Sequence, residues 1–422
     1  MSTKPAHFGE WQRGWTVVLG AAIGNATGLG LLFYVSSLFI LPVSSEFGWS
    51  RAELAAPAAL SGFGAFAAPA FGWLADRVGV RPIAAFCSLT LAGCYLGLAN
   101  LTRDYALFSF YVITIGVVGL GTVGFIYSRP VAAWFKRSRG LALGLAASGA
   151  SITAVVAPPF LQALIDSHGW RTGYLALAFA TACIGLPIVL ALMLDRPGST
   201  TTERQGGGIQ PSLYRRAIVQ AARHRAFWLL AVGLFTLNVA GSGALSQLVP
   251  LLKDRGLTVQ MAALGVTCYA IGLVIGRLGC GLLMDLFSPR LATLIFTGVP
   301  VLGTIFLLTP APGLALALIA ATMLGLQQGS EFDVIAYVVA HRFGIEAYAA
   351  IYGLIYVSGV IGTAIGAFGA GKIFDLTGGY TVALITSAVA FSIGCLTLAI
   401  ASPAERSHER SSPDTDGNVD RA

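Results

Sequence analysis

Three ionisable side chains stand in apolar surroundings where a charge is costly, and they are the first candidates for chemistry. Arg277 lies in the run Gly276-Arg277-Leu278-Gly279-Cys280-Gly281, eight residues before Asp285. On a helix that spacing puts it about 12 Å deeper than Asp285. A guanidinium at the middle of a bilayer is unfavourable by about 2.5–3.5 kcal/mol or more. It is therefore expected to face a cavity, where parallel N–H donors can take a carboxylate; an ion pair between helices is the competing reading. Glu331 and Asp333 stand in Gly325-Leu-Gln-Gln-Gly-Ser-Glu331-Phe-Asp333, about 12–15 Å from His341 along a helix and so near the depth of Arg277. Two residues apart, they point to different helix faces, and at most one is expected on an anion's route. Withdrawal from water favours a neutral carboxyl, whereas a neighbouring guanidinium favours an ionised one. That opposition suits proton coupling, since an arriving anion can take over the arginine and release the carboxylate to protonate. The alternative is that one or both tie their helix to a neighbour.

Weaker candidates surround these three. Tyr127 and Arg129 sit in Phe125-Ile-Tyr127-Ser-Arg129-Pro130. Arg129 is about 10 Å along a helix from the basic cluster at Lys136, so it either faces an anion, snorkels to the interface or pairs with another helix. Tyr127 can donate a phenolic hydrogen bond to an anion or simply pack. Tyr34, Gln247 and Tyr356 are further polar points expected to contact a bound anion. Asn25, Asn238 and Tyr352 stand in similarly apolar runs, and any of the six could instead make an interhelical hydrogen bond.

Positioning these residues requires helices in a membrane. Hydrophobic residues make up 56% of the 422 and charged residues only 11%, against roughly 25% charged in soluble domains. So few charges cannot cover a soluble surface. Runs able to span, at about 20 apolar residues each, fall near 15–41, 51–75, 80–100, 105–135, 139–165, 171–194, 226–252, 259–286, 289–309, 312–340, 345–374 and 379–401. The first is too long for a signal-peptide core of about 7–15 residues. The polar stretch from Asp195 to Arg225 divides the spans six and six. The expected fold is an all-α membrane protein of twelve transmembrane helices in two six-helix bundles. The bundles cover 1–195 and 226–401, with a cytoplasmic linker at 196–225 and a disordered cytoplasmic tail at 402–422. With the N-terminus inside, 18 Lys and Arg fall in cytoplasmic segments and 6 in outer loops, which puts both termini in the cytoplasm of an inner-membrane protein. The net charge of +7 therefore reflects topology, and no nucleic-acid partner is expected. The six cysteines, all in apolar runs without CxxC spacing, read as buried apolar residues, with no metal or disulfide.

The two halves repeat a charged turn. Gly72-Trp-Leu-Ala-Asp76-Arg-Val-Gly-Val-Arg81 follows span two, and Gly281-Leu-Leu-Met-Asp285-Leu-Phe-Ser-Pro-Arg290 follows span eight. In each, glycine precedes aspartate by four residues and arginine follows it by five. A carrier whose halves rock about a central site needs a latch at the same face of each half, so Asp76, Arg81, Asp285 and Arg290 read as gating residues.

The first turn resembles the signature G-x-x-x-D-R-x-G-x-R of the major facilitator superfamily, through Gly72, Asp76, Arg77, Gly79 and Arg81; the second keeps Gly281, Asp285 and Arg290. Within that superfamily the chain resembles the monocarboxylate/oxalate transporter group. Three stretches carry the likeness: Glu46-Phe-Gly-Trp-Ser-Arg51, Trp134-Phe-Lys-Arg-Ser-Arg-Gly-Leu-Ala-Leu-Gly144 and the run about Arg277. The resemblance implies that an arginine at the position of Arg277 holds the substrate carboxylate and that spans one and seven line the cavity. The animal carriers have an aspartate one turn before that arginine and a lysine in span one. This chain has Leu273 and apolar residues around Phe33, so that coupling pair is not carried over and a span-ten carboxylate takes its place.

No Walker motif, HExxH or nucleophile elbow is present, so neither an ATP-driven pump nor an enzyme is expected, and no cofactor. The reading is a monomeric secondary transporter of a small carboxylate anion, coupled to protons by alternating access and surrounded by membrane lipid. A carboxylate exchanger using Arg129 as a second ligand for a dianion is the alternative, ahead of a drug or metabolite exporter.

Overall fold

The computed structural model describes residues 6–193, 211–309 and 313–404. The expectations for the linker over 194–210 and the tail over 405–422, including Arg196, Arg204, Arg406, Arg410 and Arg421, lie outside the described residues, as does Lys4.

All regular structure among the described residues is helical. Span one is Ala6–Thr27 and Leu29–Phe47, interrupted at Gly28; span two is Arg51–Ser61 and Ala68–Val78; span three is Val80–Ala99. Span four is Tyr105–Val118 and Gly124–Trp134, span five Arg139–His168, and span six Trp170–Phe179 and Leu186–Leu192 with a π-helical turn between. The second half has unbroken helices: seven Arg225–Asp254, eight Val259–Leu286, nine Pro289–Leu308, ten Leu314–Arg342, eleven Tyr348–Thr377 and twelve Thr381–Ala401. The linker contains a helix, Pro211–Arg223, that the polar composition there does not announce.

Large apolar side chains face outward, among them Phe86, Phe110, Phe179 and Phe368, each at least 60% exposed. Only a lipid surrounding makes such a surface stable. Span ten differs, because from Gly329 to Ala340 every residue but Phe332 is buried. It can therefore carry carboxylates without showing them to lipid. Cys87, Cys94, Cys280 and Cys395 are buried as expected, whereas Cys183 is exposed and Cys268 half-buried; Cys183 sits on the outer side of the π-helical turn and behaves as one more small apolar group toward lipid.

The family-like stretches have local physical causes. Gly48 ends span one with φ +72°, a value that favours glycine. Ser50 and Glu53 then form a reciprocal capping box that starts span two. Glu46 accepts hydrogen bonds from both terminal guanidinium nitrogens of Arg171, at 2.8 and 2.7 Å, and from the Trp170 indole at 2.7 Å, tying span one to span six.

The two bundles meet at the face that carries the described chain ends. Asp76 accepts from the Ala349 and Ala350 amides, at 3.3 and 3.1 Å, and so caps the start of span eleven. Asp285 does the same for span five, accepting from the Gly140 and Leu141 amides at 2.8 and 2.7 Å. Each is a negative charge on the free N–H groups of a helix start, where it is favoured. Tyr348 adds a hydroxyl bond to Ser128 Oγ, 2.9 Å. The arginines of the two turns bond within their own bundles instead: Arg81 donates to Leu190 O and Arg290 to Ala399 O. The aspartates thus join the halves and the arginines brace each half.

These joints depend on glycine. A Cβ at Gly72 would lie 2.2 Å from Ala349 O, and one at Gly281 would lie 2.4 Å from Gly140 O. Gly281→Leu should therefore hold spans five and eight apart. Spin labels at Arg137 and Leu286 should then show a longer mean separation than in the parent. An unchanged distance distribution would show that this contact does not set the closure.

Candidate functional site

Spans eight and ten approach closely enough for their backbones to touch. A Cβ on Gly272 or Gly276 would come 2.3 Å from Thr322 O or 2.1 Å from Leu326 O. Gly325 and Gly329 reciprocate, at 2.0 Å from Tyr269 O and 2.1 Å from Leu273 O. Arg277 follows Gly276 directly, while Glu331 and Asp333 follow Gly329. The glycine contact therefore sets all three at one depth, and both carboxyls lie within electrostatic range of the guanidinium. Neither forms a direct ion pair with it among the described residues.

The two carboxylates have opposite surroundings. Glu331 is fully buried and receives three amide donors: Gln327 Nε2 at 2.6 Å, Gln328 Nε2 at 2.7 Å and Asn238 Nδ2 at 3.2 Å. Asn238 is held in turn by the Thr363 hydroxyl at 3.1 Å, so the network joins spans seven, ten and eleven. An ionised carboxylate only accepts, and this donor set fits one. Asp333 is 4% exposed, accepts no hydrogen bond among the described residues, and has a fully buried Oδ2 without a partner. Cys280 of span eight and Tyr348 and Tyr352 of span eleven are within its electrostatic range. The hydroxyl of Tyr352 is committed elsewhere, to Phe332 O at 2.8 Å, as is that of Tyr348.

Arg277 reaches across to the first bundle, where its Nη1 donates to Ala147 O of span five at 3.1 Å. A Cβ on Gly144 would lie 2.7 Å from Arg277 O, so the same close approach that seals the bundles brings that carbonyl within reach. The Nε atom is buried and has no hydrogen-bond partner among the described residues. One corner of the guanidinium is thus anchored while another is left unsatisfied.

The other expected residues divide. Arg129 forms an ion pair with Asp76, 2.9 Å between Nε and Oδ1, which is the helix-pairing reading and ties it to the joint between spans two and eleven. Tyr127 is buried in the first bundle with its ring against Gly24. Tyr34 of span one lies within electrostatic range of Tyr269 and Tyr356, across the division between bundles. Tyr356 packs between Phe125 at 5.5 Å and Phe332 at 5.8 Å. Gln247 lines a small cleft with Leu307, Tyr380 and Leu384, at the opposite end of the second bundle, and is not brought together with Arg277. Asn25 donates to Ala146 O at 3.1 Å as an interhelical bond. Sequence reasoning missed the Ala147 carbonyl, Tyr269 and the Tyr348 bridge. A backbone carbonyl carries no residue signature, but a tyrosine two turns before Arg277 and another at the very start of span eleven were legible signals.

Residues 18–367, and in a second match 248–419, fit the Major Facilitator Superfamily. The chain belongs to the major facilitator superfamily. Its relatives include Monocarboxylate transporter 13 of Bos taurus, 27% identical over 90% of this chain and 86% of the relative. Monocarboxylate transporter 11 of Homo sapiens is 29% identical over 92% of this chain and 82% of the relative. Among solved structures the fucose:proton symporter of E. coli superposes with a TM-score of 0.70, at 18% identity and covering 92% of this chain and 98% of that one. A human organic anion transporter gives 0.66, at 16% identity, 92% and 99%. The chain is accordingly a membrane transporter with the two-bundle fold of its superfamily, and not an enzyme, and it is similar to proteins of the monocarboxylate transporter group.

If Arg129 serves the latch, Asp76→Asn and Arg129→Gln should each lower the melting temperature of the purified protein. The double variant should be no less stable than the worse single one, a coupling of about 0.5–3 kcal/mol. Fully additive losses would dissolve the pair.

Proposed function

We propose that the chain carries a small carboxylate anion together with a proton by alternating access of its two bundles. Transport of small organic anions is supported by the relatives named monocarboxylate transporters, which align over nine-tenths of the chain. The finer reading rests on one observation: a guanidinium with an unsatisfied Nε and a buried carboxyl without a donor stand at the same depth.

In this reading the substrate carboxylate takes the free edge of Arg277, because a buried N–H without a partner is costly and an anion satisfies it. Ala147 O fixes the plane of the guanidinium for that encounter. Asp333 carries the proton. While Arg277 is unliganded its charge favours the ionised aspartate; once the anion neutralises it, Asp333 is left buried, donorless and next to a second negative charge, and takes up a proton. Glu331 is assigned a structural part, since its three amide donors already suit an anion. The latch at Asp76 and Asp285 closes one face, and the positive-inside distribution of Lys and Arg argues that this face is cytoplasmic. Exchange of dianions fits less well, because the second cation it would use, Arg129, is occupied by Asp76.

Arg277→Ala should abolish carboxylate counterflow in proteoliposomes. Arg277→Lys, which keeps the buried charge, should fold like the parent and still raise the half-saturating concentration by about tenfold or more. Parent-like uptake by both variants would remove Arg277 from the site. Asp333→Asn should take up substrate without responding to an imposed pH gradient, whereas Glu331→Gln should keep that response and lose stability. If the gradient still drives Asp333→Asn as strongly as the parent, Asp333 is not the coupling group.

A further inference from the structure

The linker helix Pro211–Arg223 stands apart from Arg277, Glu331 and Asp333 in the chain, and its arginines make no ion pair among the described residues. Arg215, Arg216 and Arg223, with Arg225 at the start of span seven, are all exposed. None of the four makes an ion pair among the described residues. The helix is nonetheless firmly seated. Ala221 is buried, and Ala217 and Ile218 pack against the core of the protein. Residues 217, 218 and 221 share one side of a helix, while 215, 216, 219, 220 and 223 share the other. The outer side therefore shows three guanidinium groups around Val219, itself 40% exposed.

Trp228 gives this surface its depth. It stands in the first turn of span seven, 60% exposed, and its indole N–H donates to Ala222 O of the linker helix at 2.9 Å. Exposed tryptophans at the ends of membrane spans sit at headgroup level, so the basic side of the helix is carried at that level too. Like charges at 215 and 216 repel each other, and a helix with its apolar side already docked gains nothing further from the protein. A row of phosphates would relieve the repulsion and satisfy the donors.

We propose that the outer side of the linker helix is a binding surface for anionic phospholipid headgroups. Its seat connects it to the latch. His224, the residue after the helix, packs edge-on against Phe343 at 5.9 Å. Phe343 ends span ten, five residues before the start of span eleven that Asp76 caps. Lipid held on this helix is therefore placed to steady the closed face.

Brominated lipids quench Trp228 only where they bind beside it, and a Trp228→Phe control isolates its share of the fluorescence. In nanodiscs of mixed composition, brominated phosphatidylglycerol should quench this share at a concentration at least about fivefold lower than brominated phosphatidylcholine. Arg215→Gln/Arg216→Gln should bring the two lipids close to parity. The charge-matched Lys136→Gln/Arg137→Gln should keep the preference, which separates a local surface from the overall charge of that face. Equal quenching by both lipids in the parent, or an undiminished preference in Arg215→Gln/Arg216→Gln, would overturn the proposal. The readout needs no transported substrate and stands apart from the carboxylate reading.

Discussion

The structure depends on the direct contact of helix backbones through glycine. In lipid no hydrophobic drive pushes helices together, so association falls to close packing and to the polar bonds that closeness permits. Glycine pairs bring span eight onto span ten, span five onto span eight, and span two onto span eleven, each near enough that a methyl group would clash with a carbonyl. Each approach delivers a polar consequence. The first puts Arg277 beside two carboxyls, the second brings the Ala147 carbonyl to Arg277 and two free amides to Asp285, and the third lays Asp76 on the start of span eleven. None of these bonds would form across the ordinary separation of two leucine-faced helices.

The halves share this scaffold and differ in charge. The first bundle contributes carbonyls, amides and aromatic rings to the interface, and its Arg129 is neutralised by Asp76. The second places Arg277, Glu331 and Asp333 on spans eight and ten, and of the two carboxyls of span ten Glu331 has three amide donors while Asp333 has none among the described residues. A buried polar network with every member satisfied rigidifies its surroundings, whereas one unsatisfied member leaves a place for a ligand or a proton. Glu331 and Asp333, two residues apart, illustrate the two outcomes.

The architecture was legible because lipid imposes a strong rule on composition: twelve apolar runs and a repeated Gly-x-x-x-Asp turn are visible without any contact information. Depth was legible too, since 1.5 Å per residue measured from those turns places Arg277, Glu331 and Asp333 together. Facing was not. The spacing of Glu331 and Asp333 says only that they diverge; two donors of Glu331, Gln327 and Gln328, stand one turn away in the same helix, but the third, Asn238, is 93 residues away. Arg129 was ambiguous for the same reason, as its partner Asp76 belongs to another span. The direction Gln247 takes was not legible either, because a polar residue in span seven can turn toward spans nine and twelve, where it lies, as readily as toward the other bundle. The helix in the linker escaped notice because most of what docks it is small alanine and not a conspicuous apolar stripe.

If the Asp76 and Asp285 joints act as the proposed latch, they and the charged centre form one mechanical unit, joined at Arg277. Its guanidinium belongs to the second bundle through the chain and to the first through the bond to Ala147. That bond exists only while spans five and eight are in contact, the condition under which Asp285 caps span five. An anion ligated by Arg277 would therefore meet a fixed guanidinium with the latch shut and a freed one with the latch open. The aspartates suit such reversal. They lie at the membrane face, and when the helices part they exchange backbone amides for water, so no buried charge is stranded. Asp333, deeper and without donors among the described residues, has no such exchange available. In the proposed cycle, parting of the bundles would leave it either facing the anion's route as a charge or neutral with a proton, and that is the argument for proposing it as the coupling group.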